Sequence, residues 1–144
     1  MHLHRIVLIA ALTILGACSS PATRPSAQST TPAADGTQSA TSRDGSFQGE
    51  ITGKARPGSR FARLQIGMGM DEVQTLMDRA PDRSHSYESG KRWIPFYFGN
   101  DARRLQALYK GEGCLIFTGG NVWGSAGGDL IAIHHDATGA CYQP

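Results

Sequence analysis

Cysteines, histidines and carboxylates toward the C-terminus are the residues of this 144-residue chain best suited to chemistry. Cys114 with His134 or His135, and Asp129 or Asp136 behind them, has the residue types of a cysteine hydrolase: nucleophile, base and orienting acid. Cys114 and Cys141 are equally a disulfide pair if the chain enters an oxidising compartment. The disulfide is the expected use, and closing a loop of that length stabilises by roughly 3.5 kcal/mol. A free catalytic thiol is the alternative. His134 and His135 are adjacent, so on a strand they point to opposite faces and cannot chelate one metal together. His134 and Asp136 share a face, but two ligands make a poor site. His85 stands alone in a polar stretch. Residues 119–128 are glycine-rich but lack the Gly-Lys-Ser/Thr ending of a phosphate loop. No catalytic residue, metal or cofactor is therefore expected.

The second stretch with binding potential is aromatic. Residues 92–98 carry Trp93, Ile94, Phe96, Tyr97 and Phe98 and read as a strand. Pro95 cannot donate to a ladder, which makes it an edge or bulged strand. Ile94, Phe96 and Phe98 would share one face, and Trp93, Pro95 and Tyr97 the other. One face must cover a helix. The other packs under the loop that carries Val122 and Trp123, or stays exposed. If exposed, Trp93, Tyr97 and Trp123 beside Arg92 and Arg104 form a partner-binding surface, since aromatics and arginine dominate interface energetics.

These residues need a frame. Val73, Leu76, Met77 and Ala80 recur at helical spacing, which predicts a helix over 70–79. Gly69 takes the N-cap position, Asp71 and Glu72 the first turn, and Pro81 the stop. Met68, Met70 and Met77 read as core filler. Residues 84–91 read as a polar connection. Further strands are expected at 103–110, 114–118 and 129–135, joined by glycine turns, with a helix over 101–109 the competing reading of the first because Leu105 and Leu108 also fit helical spacing. The expected fold class is α+β. One or two N-terminal helices pack on a three- to four-stranded antiparallel meander, within a domain spanning 59–144. A disordered Ser/Thr/Ala/Pro-rich tether, 18–58, precedes it. Phe47 and Ile51 add at most a stray strand near the tether's end.

The N-terminus gives the cellular address. Arg5 followed by a largely apolar run, 6–17, reads as a signal peptide over 1–17, too short for a membrane span. His2 and His4 would leave with it. The run ends Leu15-Gly16-Ala17-Cys18, which resembles a bacterial lipobox. The resemblance implies cleavage before Cys18 and acylation of that cysteine, a stable membrane anchor once two or more chains are attached. Ser19 at the next position implies the outer membrane, with the domain facing the periplasm. A formal charge of +2 with interspersed signs carries no nucleic-acid footprint.

Ile66-Gly67-Met68, Asp71-Glu72-Val73 and Pro81 together resemble the start of the SmpA/OmlA (BamE-like) family of small outer-membrane lipoproteins. The run 93–99, with Tyr109-Lys110-Gly111, Gly113 and Phe117, is similar to a branch sharing that architecture. The resemblance covers about 61–135. It implies a non-enzymatic accessory of outer-membrane protein assembly or envelope integrity, acting by binding protein partners. The alternative is an envelope inhibitor or ligand-binding module of the β-lactamase-inhibitor-like type. A thiol hydrolase is less favoured still. Envelope lipoproteins with that activity carry an Asp-Cys-Ser-Gly context, and here it is Gly113-Cys114-Leu115-Ile116.

Overall fold

A computed structural model describes residues 36–120 and 128–144. The expected signal peptide, Cys18, the first part of the expected tether to residue 35, and Val122 and Trp123 lie outside the described residues.

Six strands form one sheet: β1 (Thr37–Thr41), β2 (Gln48–Thr52), β3 (Arg83–Glu88), β4 (Arg103–Tyr109), β5 (Gly113–Thr118) and β6 (Leu130–His134). Their spatial order is β1-β2-β6-β5-β4-β3. Strands β3 to β6 pair antiparallel in sequence order, whereas β2 runs parallel to β6. One α-helix, α1 (Met70–Met77), and 3-10 turns at Arg60–Arg63 and Lys91–Trp93 complete the described elements.

The expected architecture is thus corrected. The fold is a six-stranded mixed sheet with one helix, not one or two helices on a three- to four-stranded antiparallel meander. Two of its strands come from residues assigned to the tether. The β1–β2 hairpin turns at Gly45, whose φ of 74° is costly for other residues. Ser42 is buried there, donating to Asp44 Oδ1 at 2.7 Å and accepting from the Phe47 amide at 3.1 Å. The hairpin has few apolar side chains of its own. It joins the fold through backbone pairing with β6 and through Ile51, which packs against the core.

Register sets the two faces. Ile51, Ile133, Leu115 and Ala107 lie opposite one another across β2, β6, β5 and β4. With Phe117 and Tyr109 they face a core completed by Phe61, Leu64, Ile66, Met68, Val73 and Met77. Gly49 sits where Ile66 crosses the sheet. A Cβ there would come 2.5 Å from the Ile131 carbonyl oxygen and 2.6 Å from Ile66 Cγ2.

Helix α1 begins at Gly69, which gives no side-chain cap, and carries Asp71 and Glu72 in its first turn. Glu72 is gripped by both Arg43 nitrogens, at 2.6 and 2.7 Å, which ties the first hairpin to the helix. The helix ends earlier than Pro81 requires. Asp78 turns left-handed at φ 53° and donates its amide to the Gln74 carbonyl, and Arg60 donates to the Met77 carbonyl. With Val73 and Met77 buried, the helix is stabilised by the sheet rather than by its own eight residues.

The expected strand over 92–98 is absent. Phe96 adopts φ 60°, outside the β region, and Pro95 before it has no amide to pair. The edge position goes instead to β3, whose sequence, Arg-Ser-His-Ser-Tyr-Glu, lacks aliphatic residues. His85 and Tyr87 supply its inward side. They stack on each other, and Tyr142 meets His85 edge-on with ring centres 5.0 Å apart.

Candidate functional site

The face of the sheet away from α1 is divided in two. A disulfide between Cys114 and Cys141, with Cα atoms 6.0 Å apart, draws the C-terminal segment over one half. There the buried Gln106 donates to the Cys141 carbonyl at 2.8 Å and accepts from the Gln143 amide at 3.1 Å. Arg83 lies over the Tyr142 ring at 4.8 Å. Cys114 is fully buried and spent in the disulfide, so its thiol is not offered to His134, His135 or Asp129. Burial holds both histidines below the usual imidazole range. Among the described residues no group of His, Cys, Asp and Glu is arranged to hold a metal.

The other half of that face is open. The connection between β3 and β4, residues 89–102, arches beside it around one carboxylate. Asp101 accepts from Lys91 Nζ at 2.7 Å, from Arg104 Nη2 at 3.0 Å and from the Tyr97 hydroxyl. Gly99 leaves room for this, since a Cβ there would overlap the Tyr97 hydroxyl. Burial works to raise the Asp101 pKa, but the three donors outweigh it and hold the carboxyl below its usual range. The hydrogen bond from Lys91 to Asp101 raises the lysine in return. Burial, then the Asp101 bond, pushes the Tyr97 phenol up. Ser89 Oγ fixes the foot of the arch by donating to the Asp101 and Ala102 carbonyls at 2.5 and 3.1 Å.

Held from below by this hub, the arch presents apolar side chains outward. Trp93 is 83 % exposed, Ile94 52 %, Phe96 88 % and Phe98 70 %. A shallow hollow of about 320 Å³ opens among residues 92–98. Arg92 lies beside it, 3.8 Å from Glu88 and more than half exposed.

The expected partner-binding residues therefore separate. Trp93 and Arg92 stand on the exposed tip. Tyr97 and Arg104 turn inward to Asp101, and Trp123 lies outside the described residues. Phe96, Phe98 and Ile94, expected to cover a helix, join Trp93 on the surface. Asp101 escaped the sequence reading. Its only sequence signal is a carboxylate after a glycine turn with basic residues before and after it, which is common in solvated loops.

Between the arch and the β1–β2 hairpin lies a cleft of about 510 Å³. Its floor is Ile116, Ile131 and Ala132, its arch wall Lys91, Tyr97, Asp101 and Arg104, and its hairpin wall includes Asp44 and Glu50.

No family model, curated protein or solved structure matches the chain.

Proposed function

We propose that this chain is a non-enzymatic, periplasm-facing lipoprotein that binds a protein partner through the arch over residues 91–98. The observation that carries the reading is the row of exposed large apolar residues, Trp93, Ile94, Phe96 and Phe98. A soluble surface rarely keeps such a patch unless something docks on it. The polar hub beneath supports the same reading. Lys91, Tyr97 and Asp101 hold the backbone so that less loop entropy is lost on docking. An aromatic tip beside an arginine has the composition of an interface hot spot. Anchoring at Cys18 to the outer membrane, and a role as an accessory of outer-membrane protein assembly or envelope integrity, rest on the lipobox and on the BamE-like resemblance of 61–135.

The test is site-specific photocrosslinking from position 93 or 96 in intact cells, followed by substitution of Trp93 and Phe96 with Ala. The expected result is one protein adduct, lost in a double variant whose circular dichroism is unchanged. Adducts to lipid alone would make the arch a membrane-docking loop instead. Undiminished protein capture by the folded double variant would reject the assignment.

A further inference from the structure

With the arch as a protein-docking surface, its charges decide what kind of segment it takes. The inner set of charges is balanced. Lys91 and Arg104 are both spent on Asp101, and Asp129 adds a second carboxylate through Asn100. The outer set is not balanced. Arg92 and Arg103 share one carboxylate, Glu88, which they approach only to 3.8 and 3.7 Å. Those separations are ion-pair contacts, too long for hydrogen bonds. Neither guanidinium makes a side-chain hydrogen bond to the described residues, and both are more than half exposed, at 58 and 57 %. Each therefore keeps its fork of N–H donors for an incoming acceptor.

Arg92 also lines the hollow of about 320 Å³ among residues 92–98. The side chains around it, Trp93, Ile94, Phe96 and Phe98, are the exposed apolar ones. A concave apolar seat takes one large side chain from a partner, whereas a loop that enters a bilayer presents a convex tip. Resting on the protein-docking reading of the arch, we propose that it takes an apolar segment of a protein carrying an aspartate or glutamate beside its anchoring side chain. The anchor sits in the hollow and the carboxylate on Arg92 and Arg103. In the free domain Glu88 alone offsets the two arginines. In the complex the arriving carboxylate completes a set of two cations and two anions. A basic or neutral segment would leave one arginine without a counter-charge at the edge of a desolvated apolar contact, which selects against it. The charges lie at the rim, so each acts modestly, by roughly two- to fivefold in affinity.

The experiment is photocrosslinking from position 93 of the full chain in intact cells, with the crosslinked segment of the partner mapped by mass spectrometry. A segment with an Asp or Glu within about three positions of the crosslinked residue is expected, a distance of roughly 10 Å in extended chain. A synthetic copy of that segment is then titrated against the purified full-length protein and its Arg92→Gln, Arg103→Gln and Glu88→Gln variants. All three side chains lie outside the core cluster, so each variant should keep the circular dichroism of the parent. Each arginine variant should bind the copy roughly two- to fivefold more weakly, and Glu88→Gln should bind it more tightly by a similar factor. Replacing the segment's acid by its amide should cost as much in the parent and less in Arg92→Gln. Added salt should shrink all of these differences. Tightening by Glu88→Gln is the outcome a merely structural role would not give. An adduct on a protein segment without an acid would overturn the acidic-partner assignment and leave protein docking at the arch standing. So would binding indifferent to the arginine changes, or weakened by Glu88→Gln. Failure to obtain any protein adduct would overturn both.

Discussion

Removing the Cys114–Cys141 crosslink should cost a large share of the stability margin of this domain. The two cysteines are 27 positions apart. Restoring the freedom of a loop of that size to the unfolded chain costs about 3.5 kcal/mol. A domain of this size is usually stable by only about 5–15 kcal/mol. At about 4–8 °C per kcal/mol, the expected fall in Tm is roughly 15–25 °C. The native state loses little directly. The C-terminal segment still has the Gln106 bonds to Cys141 and Gln143 and the Tyr142 ring against His85. The assay is urea unfolding of the Cys114→Ala/Cys141→Ala double variant and of the parent, each with and without reductant. The midpoint should fall and the slope should rise, because an uncrosslinked unfolded chain exposes more surface. Reductant should act on the parent alone. A loss below about 1 kcal/mol with an unchanged slope would refute the reasoning and place the crosslink's effect in native packing.

Gly113→Ala should be among the most damaging single changes, since its Cβ would stand 1.9 Å from the His134 carbonyl oxygen at a φ of 148°. A loss above about 3 kcal/mol, or no soluble protein, is expected, and a near-neutral unfolding midpoint would contradict the β5–β6 register. Stability should be flat from pH 7 to 9 and fall in two stages on acidification. Burial keeps His134 and His135 below the reference 6.5, so the unfolded chain takes up protons first and stability begins to drop as pH passes 6.5. Asp101 and Asp136 lie below 3.8, and Asp44 at about 2, so what they contribute is complete above about pH 4 and lost as pH falls through those lower values. A midpoint that rises between pH 6.5 and 3 would invert the assigned signs. Asp101→Ala should leave the core intact but release the arch. Amide exchange over 89–102 should quicken while that of β5 and β6 does not, and equal change in both would deny the hub its local role.

The elements legible in the sequence are those that bury aliphatic side chains. Val73 and Met77 at helical spacing, and Leu115, Phe117, Leu130 and Ile133 in short runs between glycine turns, announce α1, β5 and β6 because the core needs them there. The disulfide was legible for a different reason, since two cysteines in a chain read as exported have few other uses. The missed strands are held by backbone pairing rather than by their own apolar surface. In β1, Thr-Gln-Ser-Ala-Thr buries only Ala40. In β2, the position that packs on Ile66 is Gly49, which carries no hydropathy signal at all. In β3, His85 is covered by Tyr142 from a segment more than fifty residues later, a contact no local pattern records. The candidate site failed in the opposite direction. The run 92–98 has the composition of a buried strand, and hydropathy cannot tell an apolar residue the core needs from one the surface keeps.

That last distinction follows from where the arch gets its stability. The core cluster is complete without it. Every buried member, from Ala40 to Ile133, lies outside residues 92–98. The arch is instead fastened by Asp101 to Lys91, Tyr97 and Arg104, and by Ser89 to two carbonyls. Polar fastening leaves the apolar side chains above it free of any packing duty, so replacing Trp93 or Phe96 should change what docks on the domain and not how it folds. It also means that the arch and the cleft share a wall, with Lys91 and Tyr97 belonging to both.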